Sequence, residues 1–326
     1  MNTMMDMTTE LGRWLGGELE LVSKTISLQL HNSHDGVNEL CGELAAYHGK
    51  MLRPSLLLLS WKSMSGEGCL QPDSVVKIAA VVELIHLATL VHDDVLDEAS
   101  IRRGETTIHC LRGNEAAVML GDYLLSSAFH LCSTVQNPSL NLLLGDVSST
   151  VCAGEMMQLY HRNNVDLNID DYYQIIKDKT AALIAASCTM GGTLAGASEK
   201  AMAALTTFGN SVGVAFQIRD DLIDILGEPN ITGKESGVDL EKGKLTLPII
   251  SMLQKNQNLT PRVLEVLASG DLSVLRGLLE STGSIRFALY EIGRLVDLAV
   301  NSLRDECCTD AATELCDLVQ LLKNTP

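Results

Sequence analysis

Six aspartates stand in two copies of one spacing: Asp93, Asp94 and Asp97 in HDDVLDE, and Asp220, Asp221 and Asp224 in RDDLIDI. Each DDxxD closes a strongly apolar run. At about 100° per residue, the second and third carboxylates lie about 100° and 40° from the first, so all three crowd one face of a helix end. Like charges so close need neutralising. Mg²⁺ does this well, because it prefers a few carboxylates completed by water and phosphate oxygens. One DDxxD alone reads as a solvated helix end. Two copies point to metal clamping of a shared polyphosphate, and six carboxylates fit that better than an aspartate dyad sharing a proton.

Cations flank these motifs in a chain that has few. Arg102 and Arg103 follow the first motif in IRRGETT, and Lys50 and Arg53 lie upstream in HGKMLRP. Guanidinium groups grip phosphate through two donors, whereas an ammonium acts as a mobile point charge. His86 precedes Asp93 by seven residues, almost two turns down the same face. Lys234 and Lys244 follow the second motif in TGKESGVDLEKGKLTLP, whose glycines suit a loop that folds over a site. Each of these also has a bland reading, as surface charge or a core histidine. The loop is not a nucleotide P-loop: five residues separate Gly227 from Gly233, Glu235 replaces the hydroxyl residue, and a helix precedes it.

The elements that must carry these groups are helical. Aromatics are 4% of the chain, alternating β-branched runs are absent, and Leu, Ala and Met recur at three- and four-residue spacing. Helices are expected near 6–31, 36–48, 51–64, 74–97, 113–135, 138–161, 170–194, 199–226, 245–255, 271–281, 285–305 and 310–323. No linker, repeat or low-complexity segment stands out, so residues 1–326 read as a single domain.

Bulk properties exclude other classes. A formal charge of −17 would repel a nucleic-acid backbone, so no nucleic-acid partner is expected. The cysteines are scattered, no CxxC occurs, and the cluster Cys307, Cys308 and Cys316 has no histidine at ligand spacing; reduced thiols of a cytoplasmic protein follow. The N-terminus has no secretory pattern. The most apolar stretch, 78–91, is short and interrupted by Glu83 and His86, so no transmembrane segment is expected.

Assembled in order, GKMLRP, ELIHLATLVHDDVLDEASIRRG, LGDYLL, GEMMQL, KTAALI, FQIRDDLID and GKESGVDLEKGKLTLP make the chain resemble the all-trans polyprenyl diphosphate synthases over roughly residues 40–250. In character it is nearest the bacterial-type medium- and long-chain enzymes. The resemblance implies an all-α fold of the isoprenoid synthase type, a large bundle of about 10–13 helices around a deep central cavity. It implies Mg²⁺, about three ions per site, held by Asp93, Asp94, Asp97, Asp220, Asp221 and Asp224. It places isopentenyl diphosphate on Lys50, Arg53, His86 and Arg103. The allylic diphosphate (dimethylallyl, geranyl or farnesyl) falls to Arg102, Lys179, Lys234, Lys244 and Asp239. Thr180 and Gln217 would stabilise developing positive charge, and a homodimer is implied. Met51 departs from the pattern, since many relatives carry a second basic residue there.

The implied reaction is a head-to-tail condensation that lengthens a polyprenyl diphosphate and releases pyrophosphate. Ala88 and Thr89, five and four residues before Asp93, are small, so a growing chain could pass them and the product should exceed fifteen carbons. A terpene cyclase is a rival, but its second metal motif usually contains Asn and Ser. A non-catalytic subunit of a heteromeric synthase is another, although it need not keep both DDxxD motifs intact.

Overall fold

The computed structural model describes residues 9–47, 49–65, 72–227, 237–269, 271–304, 306 and 309–324. Lys234 and most of the glycine-rich loop therefore lie outside the described residues, as do Cys69, Cys307 and Cys308.

The chain is all-α. Its helices are α1 (Glu10–Leu30), α2 (Asp35–Gly42), α3 (Leu52–Met64), α4 (Asp73–Leu96), α5 (Ile108–Arg112), α6 (Asn114–Ser133), α7 (Pro138–Tyr160), α8 (Ile169–Ile176), α9 (Ala182–Ala195) and α10 (Glu199–Leu226). There follow α11 (Val238–Glu241), α12 (Leu247–Lys255), α13 (Thr260–Ser269), α14 (Leu272–Ser281), α15 (Ser284–Arg304) and α16 (Asp310–Gln320). The expected helix at 36–48 ends in a 3-10 turn, Glu43–Tyr47, and the one at 170–194 is interrupted by a π-helical turn, Lys177–Ala181. Helices α5, α11 and α13 were not expected. They are short, and a run of four to ten residues gives weak periodicity.

These elements form two compact units. The first draws on Met1–Ser148, Leu183–Thr206 and Ser302–Leu318, the second on Ser149–Ala182, Thr207–Asn301 and Val319–Pro326. Each is assembled from separate stretches of chain.

In the first unit α4 is the core. Fourteen of its residues are buried, on every side of the helix, which is the pattern of an element surrounded by others. It packs on α1, α3 and α6. Helix α1 starts from Thr9, whose hydroxyl accepts from the Gly12 amide at 2.9 Å, and buries one stripe: Gly12, Leu15, Val22, Ile26 and Leu30. Helix α4 is longer than the apolar stretch 78–91 on which the expectation of no transmembrane segment rested. At 24 residues it is long and apolar enough to cross a bilayer by composition, but most of it is buried inside the protein, and its Glu83, Asp93 and Asp94 are polar.

After α4 the chain makes a small hairpin that the helical reading did not contain. Strand β1 (Ile101–Arg102) pairs antiparallel with β2 (Glu105–Thr106). The two loop residues, Arg103 at φ 53° and Gly104 at φ 86°, are both left-handed, as a type I′ turn requires. Glycine takes this conformation freely; arginine does so at a cost, so something must hold Arg103 there.

In the second unit the organising feature is the π turn. A Cβ on Gly154 of α7 would lie 2.4 Å from the Lys179 amide nitrogen, and one on Gly213 of α10 would lie 2.4 Å from the Ala181 Cα. Two glycines thus let two helices close onto the same five residues. Asn168 caps α8 by accepting from the Asp171 amide at 2.8 Å, which sets the start of the segment leading into the turn.

Candidate active site

In the first unit, Tyr47 ties the first aspartate motif to the hairpin. Its hydroxyl, at the end of the 3-10 turn, donates to Asp94 Oδ2 at 2.5 Å, and its carbonyl accepts from Arg103 Nη1 at 2.9 Å. Arg102 grips the same Asp94 with both faces of its fork, Nε at 2.9 Å and Nη2 at 2.6 Å from Oδ1, while its guanidinium lies 5.7 Å from the Tyr47 ring centre. Burial and then Asp94 hold the Tyr47 hydroxyl protonated far up the pH scale. Burial works against the Arg102 charge, but Asp94 outweighs it and raises Arg102.

Asp94 is 1% exposed. Its carboxylate faces Arg102 and Tyr47. Asp93 and Asp97 remain half-buried at the C-terminal end of α4.

Deeper in this unit lie Arg53, Glu83 and His86. Burial pushes Arg53 down to about 10, against the attraction of Glu83. Burial, then Arg53, Arg103 and Arg102, holds His86 well below the ordinary histidine range, so its ring is neutral near pH 7. Arg103 stands over Gly49, where an added Cβ would come within 2.7 Å of Nη2. Lys50 is exposed. Ala88 is fully buried, and Thr89 is half-buried with its hydroxyl donating to the His86 carbonyl at 2.8 Å. A cavity of about 340 Å³ in this unit is lined by α1, α2 and α4 residues including Ile26, Leu30 and Leu87, and neither Ala88 nor Thr89 lines it.

In the second unit, the π turn presents Lys179 and Thr180 to different partners. Lys179 Nζ donates to Gln158 Oε1 at 2.7 Å and is ion-paired with Glu155. Thr180 donates to Gln217 Oε1 at 2.7 Å, and Gln217 Nε2 donates to Asp221 Oδ1 at 2.7 Å. Tyr172 completes the chain, its hydroxyl donating to Asp221 Oδ2 at 2.6 Å. Asp224 accepts from the Val238 and Asp239 amides at 3.2 Å each, capping α11, and Lys244 faces Asp239 at 3.9 Å. Asp220 is half-buried.

Spacing alone did not single out Tyr47, Glu155, Gln158 or Tyr172. Glu155 and Gln158 lie in the GEMMQL motif, and Tyr172 precedes Lys179 by seven residues, two turns along the same face, which is the available signal.

Among the described residues no three His, Cys, Asp or Glu side chains converge into a ready-made metal cage. The donor set nevertheless fits a divalent cation that completes its shell with phosphate oxygens. In the second unit negative charge is in excess: burial and then Asp239 raise both Asp221 and Asp224, the latter to about 6. Both carboxyls bind protons more tightly folded than unfolded. Their contribution to metal-free stability is therefore fully present below the ordinary carboxylate range and is lost as pH rises through the raised values. Thermal midpoints of metal-free protein should drop between about pH 5 and about pH 7.5, and Mg²⁺ with inorganic pyrophosphate should flatten that slope. A midpoint that rises over this interval would show that these carboxyls are not strained by charge.

Residues 34–275 match the family model described as polyprenyl synthetase. The chain is 35% identical over 230 residues to a short chain isoprenyl diphosphate synthase of Methanothermobacter thermautotrophicus, covering 68% of this chain and 69% of that one. The fold superposes on a decaprenyl diphosphate synthase from Rhodobacter capsulatus with TM-score 0.87 and 31% identity, over 96% of this chain and 97% of that one. A polyprenyl synthase from Caulobacter crescentus, complexed with calcium and isoprenyl diphosphate, gives TM-score 0.87 and 28% identity, over 96% and 97% of the two chains.

Proposed function

Because the chain belongs to the polyprenyl synthetase family and is a chain-elongating prenyltransferase, we propose that it adds isopentenyl diphosphate head-to-tail to an allylic diphosphate in a Mg²⁺-dependent reaction. The observation that carries the site assignment is the grouping of charge within each unit. Arg53, Arg103 and a neutral His86 suit a diphosphate anion, and Thr180 of the π turn reaches the second aspartate motif through Gln217.

Asp93, Asp97 and Asp220 are the proposed metal ligands, with Asp221 and Asp224 completing the motif that Asp220 opens and Asp94 anchoring Arg102 instead. Bound Mg²⁺ would draw charge onto the pyrophosphate oxygens and make that group a better leaving group. Arg102, Lys179 and Lys244 add positive charge at the same diphosphate, with Lys234 and Asp239 as further contacts.

The allylic carbon–oxygen bond breaks to an allylic cation and pyrophosphate. The double bond of isopentenyl diphosphate attacks the cation and forms the new carbon–carbon bond. The resulting cation loses a proton to the departing pyrophosphate, restoring a double bond. Thr180 and Gln217 present polar oxygens where positive charge develops, and exclusion of water protects the cation. No nucleophilic side chain is required. Lys50, Arg53, His86 and Arg103 hold isopentenyl diphosphate.

We take the chain to act as one catalytic domain, as a homodimer, in the cytoplasm. Incubation with Mg²⁺, isopentenyl diphosphate and farnesyl diphosphate, followed by product chromatography, tests the activity. Absence of any product beyond fifteen carbons with every primer would overturn the long-chain reading. Light scattering tests the dimer.

Product length has its own test. Phe in place of Ala88 should destabilise the protein by about 1–3 kcal/mol, because that position is fully buried. Phe in place of the half-buried Thr89 should be better tolerated and shorten the product. If Thr89→Phe folds normally and gives the wild-type distribution, this helix face does not limit the chain.

A further inference from the structure

Glu83 is 2% exposed, in the middle of the long apolar helix α4. A carboxylate so enclosed is costly unless cations face it. The charges that pull on it are Arg53 and Arg103, in that order, and they oppose the rise that burial imposes. Glu83 acts in return on both arginines, favouring their charged forms against burial. It stands one turn before His86 on the same helix face.

The three groups are nonetheless incompletely bonded. Glu83 Oε2, Arg53 Nε and His86 Nδ1 are each enclosed and have no hydrogen-bond partner. Glu83 therefore acts on the arginines as a nearby charge, leaving donor capacity for another anion. Arg103 needs such help most. Its backbone is left-handed at φ 53°, and its guanidinium is fixed on one side by the Tyr47 carbonyl at 2.9 Å and stands over Gly49. Burial opposes the charge on both arginines and Arg102 adds repulsion at Arg103, so Glu83 is the counter-charge that offsets these costs.

We propose that Glu83 is a positioning residue whose buried carboxylate holds Arg53 and Arg103 in place for isopentenyl diphosphate before that substrate arrives. This rests on the reading of Arg53, His86 and Arg103 as contacts of that diphosphate. The glutamate touches no substrate atom. It lowers the cost that burial places on both arginine charges, so it acts on binding and leaves the chemical step alone.

The experiment compares Glu83→Gln, Glu83→Asp and Arg53→Ala by steady-state kinetics, with each substrate varied in turn, and by thermal unfolding. Glu83→Gln keeps the shape and removes the charge. It should raise KM for isopentenyl diphosphate about tenfold or more, leaving kcat and KM for the allylic substrate within about twofold. Glu83→Asp keeps the charge and should recover part of that loss. A lower thermal midpoint with unchanged KM for Glu83→Gln would make the residue merely structural and overturn the proposal. If Glu83→Gln does not fold, Glu83→Leu decides, since it removes the charge without leaving an unpaired polar group in the apolar helix: unchanged KM for isopentenyl diphosphate in that variant overturns it. Arg53→Ala separates this idea from its premise. If Arg53→Ala leaves isopentenyl diphosphate binding unchanged, the site assignment itself fails. If Arg53→Ala weakens binding and Glu83→Gln does not, only the positioning role fails.

Discussion

Asp93→Ala and Asp220→Ala each lower kcat at least about a hundredfold, and excess chelator abolishes turnover, as expected when a metal-held leaving group loses its support. The fold survives both changes. Asp94 is enclosed by Arg102 and Tyr47, and Asp221 by Tyr172 and Gln217, whereas Asp93 and Asp220 are half-buried. Removing a half-buried carboxylate from an acidic cluster relieves repulsion, so thermal midpoints without metal should hold or rise. Full activity in chelator would end the metal assignment. A drop in activity matched by loss of folded protein would mean that the aspartates are structural.

Arg102→Ala behaves differently, because it leaves a buried charge behind. Asp94 is 1% exposed and keeps only the Tyr47 hydroxyl among the partners that grip it here. Breaking such a pair from one side costs about 3–5 kcal/mol, far more than a surface ion pair is worth. The thermal midpoint should fall by several degrees, and allylic diphosphate binding should weaken about tenfold or more. The double variant Arg102→Ala with Asp94→Asn should regain most of the stability and none of the binding. If the double variant is no more stable than the single one, the loss comes from packing of the arginine stem against Tyr47 and not from the orphaned carboxylate.

Much of this protein was legible before any coordinates. The repeated DDxxD and the RR after the first copy are short-range patterns, the helix face of each aspartate follows from its number, and the KT pair was legible only through the family resemblance. The interruption of the helix at Lys177–Ala181 was not legible. It depends on Gly154 and Gly213 admitting α7 and α10 against one turn, a packing event between residues far apart in the chain. The hairpin after α4 was equally hidden, since two-residue strands carry no alternation to read and Arg103 is an unusual occupant of a left-handed position.

Residue types and spacing by themselves determined the helical class and the acidic and basic groups available for diphosphate chemistry, and the order of the motifs carried the resemblance to the family. They did so because three- and four-residue periodicity and motif spacing are local properties of a helix. Only the tertiary structure decided which of those groups are committed elsewhere. Asp94 is used to fix Arg102, Asp221 is held by Tyr172 and Gln217, Asp224 caps α11, and Arg53 shares its surroundings with a buried Glu83. A carboxylate's role depends on which donors reach it and how far water is excluded. Those donors come from residues 8, 49 and 14 positions away in the chain for Arg102 with Asp94, Tyr172 with Asp221, and Val238 with Asp224, and from directions that the period of one helix does not specify.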